Sequence, residues 1–509
     1  MADDAQAIQI NPDDDVAILL DDAPAGTVAR VRGGAEVALR GDIARGHKVA
    51  LRNLPVGAPV RRYGQVIGFA TQEIAPGAHV HTHNLDVGAV EKDYAFGVDA
   101  RPLPPVSAPR TFMGYLRPGG RVGTRNTVLV IATVNCAASV ARKIAAQFDA
   151  AALADYPNVD AVAPIVHWAG CGMGVGEDLA MLQRTLGGFA RHPNVAGYVL
   201  VGLGCEVNQV GGLLDSAGLV MPDAPIPPRV LIQDAGGVGP AVRAGVEAVR
   251  ALLERANTCR RTEQPASRLT VALECGGSDA YSGVTANPAV GVAADMVVAQ
   301  GGAAILSETP EIYGAEHLLT RRAASEEVGR ALVERVQWWE AYTARNGVAL
   351  NNNPSPGNKA GGLTTIYEKS LGAVSKGGSA PLTAVYRYAE RVTARGLCFM
   401  DTPGYDPVSV TGMVAGGANL IVFTTGRGSV YGLQPTPTVK VATNTPLYER
   451  MRGDMDLDAG RALSGMSIRE VGAEIFETLL AVASGARTKG ELAGVGEDEF
   501  VPWVPGATL

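Results

Sequence analysis

From Gly114 onward this chain alternates two kinds of segment, and the alternation limits its fold more than any other feature. Short apolar runs (NTVLVIATV, VDAVAPIV, YVLVGLG, RVLIQ) are separated by helical patterns (SVARKIAAQFDAAAL, EDLAMLQRTLGGFARH, GPAVRAGVEAVRALLERA). Runs without a polar face read as strands covered on both sides, and the helices between them supply the crossovers of a parallel sheet. The expected class is α/β with largely parallel sheets. Four of the six cysteines fall where these runs break into glycine-rich turns: Cys136, Cys171, Cys205 and Cys275. Loops at the carboxyl ends of parallel strands carry function, so the four thiols are expected to face one crevice, as metal ligands or nucleophiles.

The first ~93 residues read differently, as short strands (VAILL, VARVR, EVALR, KVALR, PVRRYGQVIGFA, HVHTHNL) set off by Asp, Gly and Pro. That pattern predicts a small, mostly-β module over 1–93. A Pro-rich linker covers 94–112, an α/β domain 113–258, and a larger C-terminal domain 259–509, the last break lying at the polar TCRRTEQPASR. Within that domain PAVGVAADMVVAQ and SEEVGRALVERVQWWEAYTARN read as helices and LIVFTT as a strand. The Gly/Asn/Ser-rich stretch 351–381 reads as a long functional loop.

Composition narrows the function. The net charge is −7 and no basic block occurs, which argues against a nucleic-acid partner. No apolar run reaches membrane-spanning length, and the acidic start lacks a secretory pattern, so a cytoplasmic protein with reduced thiols is expected. There is no GxxxxGK[ST] and no GxSxG, and GCGMGVG does not fit GxGxxG. NTP-binding, α/β-hydrolase and nicotinamide chemistry are all disfavoured.

Candidate chemistry remains. His79, His81 and His83, three of seven histidines, alternate in HVHTHN and would share one face of a strand as metal ligands. His167, four residues before Cys171, could carry a proton or serve as a ligand. Arg121 and Arg125 in RVGTRN suit a substrate carboxylate. Ser278, Asp279 and Asn287 in ECGGSDAYSGVTANP could read hydroxyls; Asn358 and Lys359 in PSPGNKAGG add a binding amide and an acid/base amine. Glu308, Glu311 and Glu316 read as general bases or hard metal ligands, or else as a solvated helix face.

These segments, with GHKVAL, TVNC, HWAGCG, GLGCEVNQV, ETPEIYGAEHLL, YEKSLG, TTGRGSVYG and PTVKVATN, run in the order of the altronate/galactarate (sugar-acid) dehydratase family, which the chain resembles over almost its whole length. NPSPGNKAGG and the ending GATL place it nearer the altronate side. The resemblance implies an SAF-type N-terminal module, two dehydratase domains and a cytoplasmic hydro-lyase. It also implies a divalent metal, Fe2+ or another such as Mn2+, and conversion of a hexonate or hexarate to a 2-keto-3-deoxy acid. The metal has two candidate ligand sets: His79, His81 and His83, or Cys136, Cys171, Cys205 and Cys275, the latter able to hold an iron–sulfur cluster instead. One departure is Ala373, where the family pattern places cysteine after KSLG. A sulfolactate sulfo-lyase-like activity, a non-catalytic sugar-acid binding role and a homo-oligomeric assembly stay open.

Overall fold

The structure, a computed structural model, describes residues 4–506 apart from 33, 89–93, 107 and 221–225. The expected edge of the first module at residue 93 and most of the ending GATL lie outside these residues. The N-terminal module is all-β. Six short strands form one sheet around Ala7, Leu19, Val31 and Val49, and the hairpin Pro59–Arg62/Gln65–Ala70 forms a second sheet with Leu85–Asp86. The fold class expected from sequence, a β module followed by parallel α/β domains, is the one observed.

In the second domain β1 (Thr127–Ala132), β2 (Ala161–Ile165), β3 (Val195–Gly202) and β4 (Arg229–Leu231) make a parallel sheet in the order β2-β1-β3-β4. Strand β1 has no polar face because helices cover both sides, as its uninterrupted Val/Leu/Ile run requires. The third domain carries β5 (Thr270–Cys275), β6 (Ala303–Leu306), β7 (Leu382–Tyr386), β8 (Gly396–Met400), β9 (Leu420–Thr425), β10 (Thr438–Ala442) and β11 (Leu457–Asp458). Their order is β7-β8-β6-β5-β9-β10-β11, all parallel.

The three parts share cores. Leu182, Leu186 and Phe189 of the second domain pack with Val410, Met413 and Val414 of the third, where Gly188 lets helix Glu177–Ala190 lie against the Ala415 carbonyl. Val60, Ile67 and Val80 of the β module join one apolar cluster with Leu371 and Val374. Full burial of each such side chain stabilises by about 1.5–3 kcal/mol, enough to hold the module in one place.

One expectation fails. The stretch 351–381 is not a long loop but holds helices Pro356–Ala360 and Ile366–Val374. Ser355 and Thr365 cap them by accepting from Asn358 N and Glu368 N, and every residue of the second helix is buried. Its apolar stripe is too short, and its Ser and Gly content too high, for periodicity to register. Among the described residues no helix is long and apolar enough to cross a membrane.

Candidate active site

The third-domain sheet reverses direction at β5. The chain runs from β5 through β6 to β8 on one side, then returns to β9 and β10 on the other. Ligands of open parallel sheets bind outside the carboxyl ends at such a switch point. Here β5 ends in Glu274 and Cys275, β6 leads to Glu308 and Glu311, β8 to Asp406, and β9 to Gly426 and Arg427.

These ends assemble a buried charged cluster. Lys376 Nζ donates to Cys275 Sγ (2.9 Å) and Glu308 Oε2 (3.4 Å), and Lys369 pairs with Glu311. Ser409 donates to Glu274 (2.8 Å). Gly276 has no side chain because a Cβ there would lie 2.0 Å from an Asp406 carboxylate oxygen. Ligand atoms of Cys275, Glu308 and Glu311 lie within 4.8 Å of one another, as do those of Glu274, Glu308 and Asp406. Glu308 Oε1 and Glu311 Oε2 are buried with no hydrogen-bond partner among the described residues. Glu308 also adopts φ 65°, a left-handed backbone that costs a non-glycine residue about 1–3 kcal/mol and concentrates at functional sites. Burial first, and neighbouring carboxylates second, push Glu274 and Glu308 up and Asp406 to about 7. Burial lifts the Cys275 thiol to about 11. Against burial, their anionic neighbours hold Lys369 and Lys376 in the ammonium form. Four carboxyls facing two ammonium groups leave room for a divalent cation, and a mixed carboxylate–thiol donor set suits one.

The β module closes the other side. Its hairpin tip, Arg62-Tyr63-Gly64, reaches in until the Tyr63 hydroxyl would lie 2.6 Å from a Cβ on Gly283. Arg62 and Lys48 pair with Glu368 (Lys48 Nζ at 3.0 Å), all three fully buried. Burial works against the Glu368 charge, but Lys48 and Arg62 outweigh it and hold the carboxyl near 2. A small cavity beside this triad is lined by Tyr63, Cys275, Ser278, Asn287, Glu368 and Lys369, among others.

At the rim, four imidazoles gather. Rings of His47, His79, His81 and His83 stand 4.9–5.5 Å apart. His81 Nε2 hydrogen-bonds the Lys359 carbonyl (2.9 Å), and His47 Nδ1 meets His79 Nε2 at 2.9 Å. Burial, reinforced by the neighbouring imidazoles, lowers His79 to about 3. The trio meets for a different reason from the one expected: only His79 is in a strand, and a turn at 81–84 returns the other two to its side. His47, in GHKVAL, was missed; its place in a family motif was the available signal. Among the described residues no set of three close ligand atoms includes a histidine.

Other expected residues divide. Asp279 is a fixed hub, accepting from Tyr281 N, Ser282 N, Thr443 Oγ1 and Asn444 Nδ2 at 2.9–3.1 Å. Gly426 packs on it so closely that a Cβ would sit 2.1 Å from Asp279 Cγ. Gly426→Ala is therefore expected to destabilise by about 1–3 kcal/mol, read as a lowered Tm. Asn287 donates to Gly372 O and accepts from Thr424; Asn358 donates to Ser278 O. The Ser278 hydroxyl forms no hydrogen bond with a described residue and lines the cavity. Lys359 stands half-buried at the rim, its ammonium paired with no described group.

The structure does not bring Arg121, Arg125 or His167 here. Arg125 clamps Glu491 (2.6 Å) and the Val482 and Ala486 carbonyls, and Arg121 binds the Arg191 carbonyl. His167 is a buried strap in the second domain, bonded to Ala132 O (3.0 Å) and accepting from Ala169 N (3.2 Å); burial lowers it to about 4. The four cysteines also separate, because they end strands of two different sheets: Cys275 is buried in the cluster, while Cys136, Cys171 and Cys205 are exposed on the second domain. Glu308, Glu311 and Glu316 are buried, so the solvated-face reading fails.

A β module whose imidazoles rim the switch point of a parallel-sheet domain, over buried carboxylate and lysine groups, has the make-up of an enzyme active site. Family models match in sequence order: the altronate/galactarate dehydratase SAF domain over 5–88, the D-galactarate dehydratase/altronate hydrolase second domain over 114–257, and the D-galactarate/altronate dehydratase C-terminal domain over 266–508. The chain is 37% identical to altronate dehydratase of Escherichia coli (strain K12) over 96% of its length and 97% of that protein's. It is 38% identical to the galactarate dehydratase (L-threo-forming) of the same organism, covering 94% and 93%. With the (2R)-sulfolactate sulfo-lyase subunit beta of Chromohalobacter salexigens identity is 32%, covering 77% and 97%. The chain belongs to the altronate/galactarate dehydratase family, and its dehydratase relatives are hydro-lyases.

Proposed function

We propose that this protein dehydrates a six-carbon sugar acid, altronate or a related hexonate or hexarate such as galactarate, to its 2-keto-3-deoxy acid. The observation that supports it most is convergence. GHKVAL, HVHTHN, ECGGSDAYSG, ETPEIYG, PSPGNKAGG, YEKSLG and TTGRG are scattered over nearly four hundred residues, yet they meet around one crevice.

Elimination needs removal of the proton beside the carboxylate, stabilisation of the resulting enediolate, and a proton for the departing hydroxyl. Lys369 and Lys376, held as ammonium, place fixed positive charge beneath the cavity. The rim imidazoles His47 and His81, kept neutral by burial, supply a base, and Lys359 supplies the acid. Ser278 reads a hydroxyl. Arg427, whose backbone N–H donates to Gly277 O (2.9 Å) and so anchors it at the end of β9, is better placed for a carboxylate than Arg121 or Arg125. Glu274, Cys275, Glu308, Glu311 and Asp406 would hold a divalent cation, Fe2+ or Mn2+. When bound, it supplies Lewis-acid stabilisation of the carboxylate's developing charge.

The test is a screen of hexonates and hexarates for 2-keto acid formation by anaerobically purified protein, with and without Fe2+, alongside sulfolactate. A 2-keto-3-deoxy product is expected; sulfite release with no keto acid from any sugar acid would replace this reading with a sulfo-lyase. Lys359→Ala is expected to lower kcat by about 10²–10⁴-fold, the usual worth of a positioned acid, with the melting curve unchanged.

A further inference from the structure

A second chemical centre lies in the other domain and plays no part in the reading above. The sheet of the second domain also reverses, here between β1 and β3, because the chain passes from β1 to β2 on one side and then to β3 and β4 on the other. Three consecutive strands each end in a cysteine: Cys136 lies four residues beyond β1, Cys171 six beyond β2, and Cys205 three beyond β3. These strands are adjacent, parallel and in register, with Ile131 level with both Ile165 and Leu200, so the thiols emerge along one edge.

The loops that carry them are welded together. Asn135, preceding Cys136, donates from its backbone to Ala169 O (3.0 Å) and from its side chain to His167 O (3.1 Å). Asn208 donates to Gly170 O (2.9 Å) and to Thr133 O (2.9 Å), tying the third loop to the other two. Glu206, next to Cys205, accepts from Thr133 Oγ1 (2.8 Å). Gly170 packs so tightly that a Cβ would lie 2.4 Å from Thr133 O. His167 is fixed as a neutral strap just beneath. This framework is rigid, yet what it presents is three exposed, reduced thiols. Gln233 reaches Cys205 Sγ (3.4 Å); among the described residues nothing bonds to the sulfurs of Cys136 or Cys171. Trp168, 58% exposed, and Val175, 82% exposed, flank Cys171 in sequence and leave apolar surface uncovered on the same loop.

Thiolate donors select zinc, copper(I) or iron–sulfur clusters. A single ion bound by three cysteines at about 2.3 Å draws its sulfurs to about 3.8 Å of one another. The three sulfurs are not so gathered, since among the described residues no set of ligand atoms within 4.8 Å of one another includes them. A cluster that gives each thiolate its own iron takes a wider spacing, so loops leaving three adjacent parallel strands suit it better than a single ion. We propose that Cys136, Cys171 and Cys205 hold a [4Fe–4S] cluster at the carboxyl edge of this sheet, with the fourth iron free of any protein thiolate. Cys275, buried in the other domain's sheet, is not its missing ligand.

The full-length protein, purified anaerobically and reconstituted with Fe2+ and sulfide, is the material for the test. Iron and acid-labile sulfide are expected at about four each per chain, with broad visible absorption that bleaches on dithionite reduction and an EPR signal from the reduced form. Each of Cys136→Ser, Cys171→Ser and Cys205→Ser is expected to lose most of the labile sulfide and the EPR signal. Cys259→Ser and Cys398→Ser should retain both, and melting curves identify any variant that fails to fold. Bound zinc without sulfide, full labile sulfide in the Cys171→Ser protein, or thiols that remain metal-free after reconstitution would each overturn the proposal. These readouts need no turnover, so the outcome is independent of whether the substrate assignment holds.

Discussion

Glu308→Gln is expected to reduce kcat/KM by about 10²–10³-fold, the cost of removing one charge-stabilising group from an enclosed site. The substitution keeps the size of the side chain and its amide can still accept from Lys376, so the cluster should stay packed. What it removes is the negative charge shared by both sets of close ligand atoms. Tightly bound divalent metal should therefore fall together with activity, as measured by metal analysis of desalted protein. Equal metal content in variant and parent would separate the carboxylate from cation binding. A chelated parent enzyme should show the same loss and recover with added Fe2+, whereas the variant should recover only at much higher metal concentration.

Sequence pattern reached the fold further than it reached the site. Strands β1–β3 announce themselves because buried parallel strands have no polar face, and the crossover helices through their apolar stripes. Helix Ile366–Val374 leaves no periodic signal since every side is covered, so nothing in the stretch 351–381 marks Glu368, Lys369 or Lys376 as buried charges. A buried charge leaves no periodic trace; it is legible only with its partner, and Lys48 lies 320 residues from Glu368. The imidazole trio was legible because histidines are rare here, although a turn rather than strand alternation gathers it. The cysteines were legible as strand ends. Which sheet each strand joins was not, and that is why one expected quartet became a buried thiol and an exposed trio. Arg121 and Arg125 misled because guanidinium groups that clamp carbonyls and a structural glutamate have the same local sequence as those awaiting a substrate.

The second large effect concerns docking of the β module. Glu368→Ala should destabilise the protein by about 3–5 kcal/mol, because it strands Lys48 and Arg62 as uncompensated buried cations. Thr364 would also lose the acceptor for its backbone and hydroxyl donors (2.8 and 2.6 Å). The module should then loosen, speeding limited proteolysis of the β module and lowering activity by separating the rim imidazoles from Lys359. Acid should do the same to the parent protein. Its Glu368 carboxyl is held near 2, below the ordinary 4.5, so the ion pairs contribute fully above about pH 4.5 and their contribution fades as pH falls towards 2. Lys48, lowered by burial to about 8, stays charged throughout that window. A stability–pH curve for Glu368→Gln should lack this part of the acid slope. The control is the apolar triple variant Lys48→Met, Arg62→Leu, Glu368→Leu, which removes charge and partner together. If the cost of Glu368→Ala lies in abandoned cations rather than in lost volume, the triple variant should recover most of the stability, since well-packed apolar replacements of buried ion networks are often neutral or better. Equal destabilisation of the two proteins would assign the effect to packing at the seam instead.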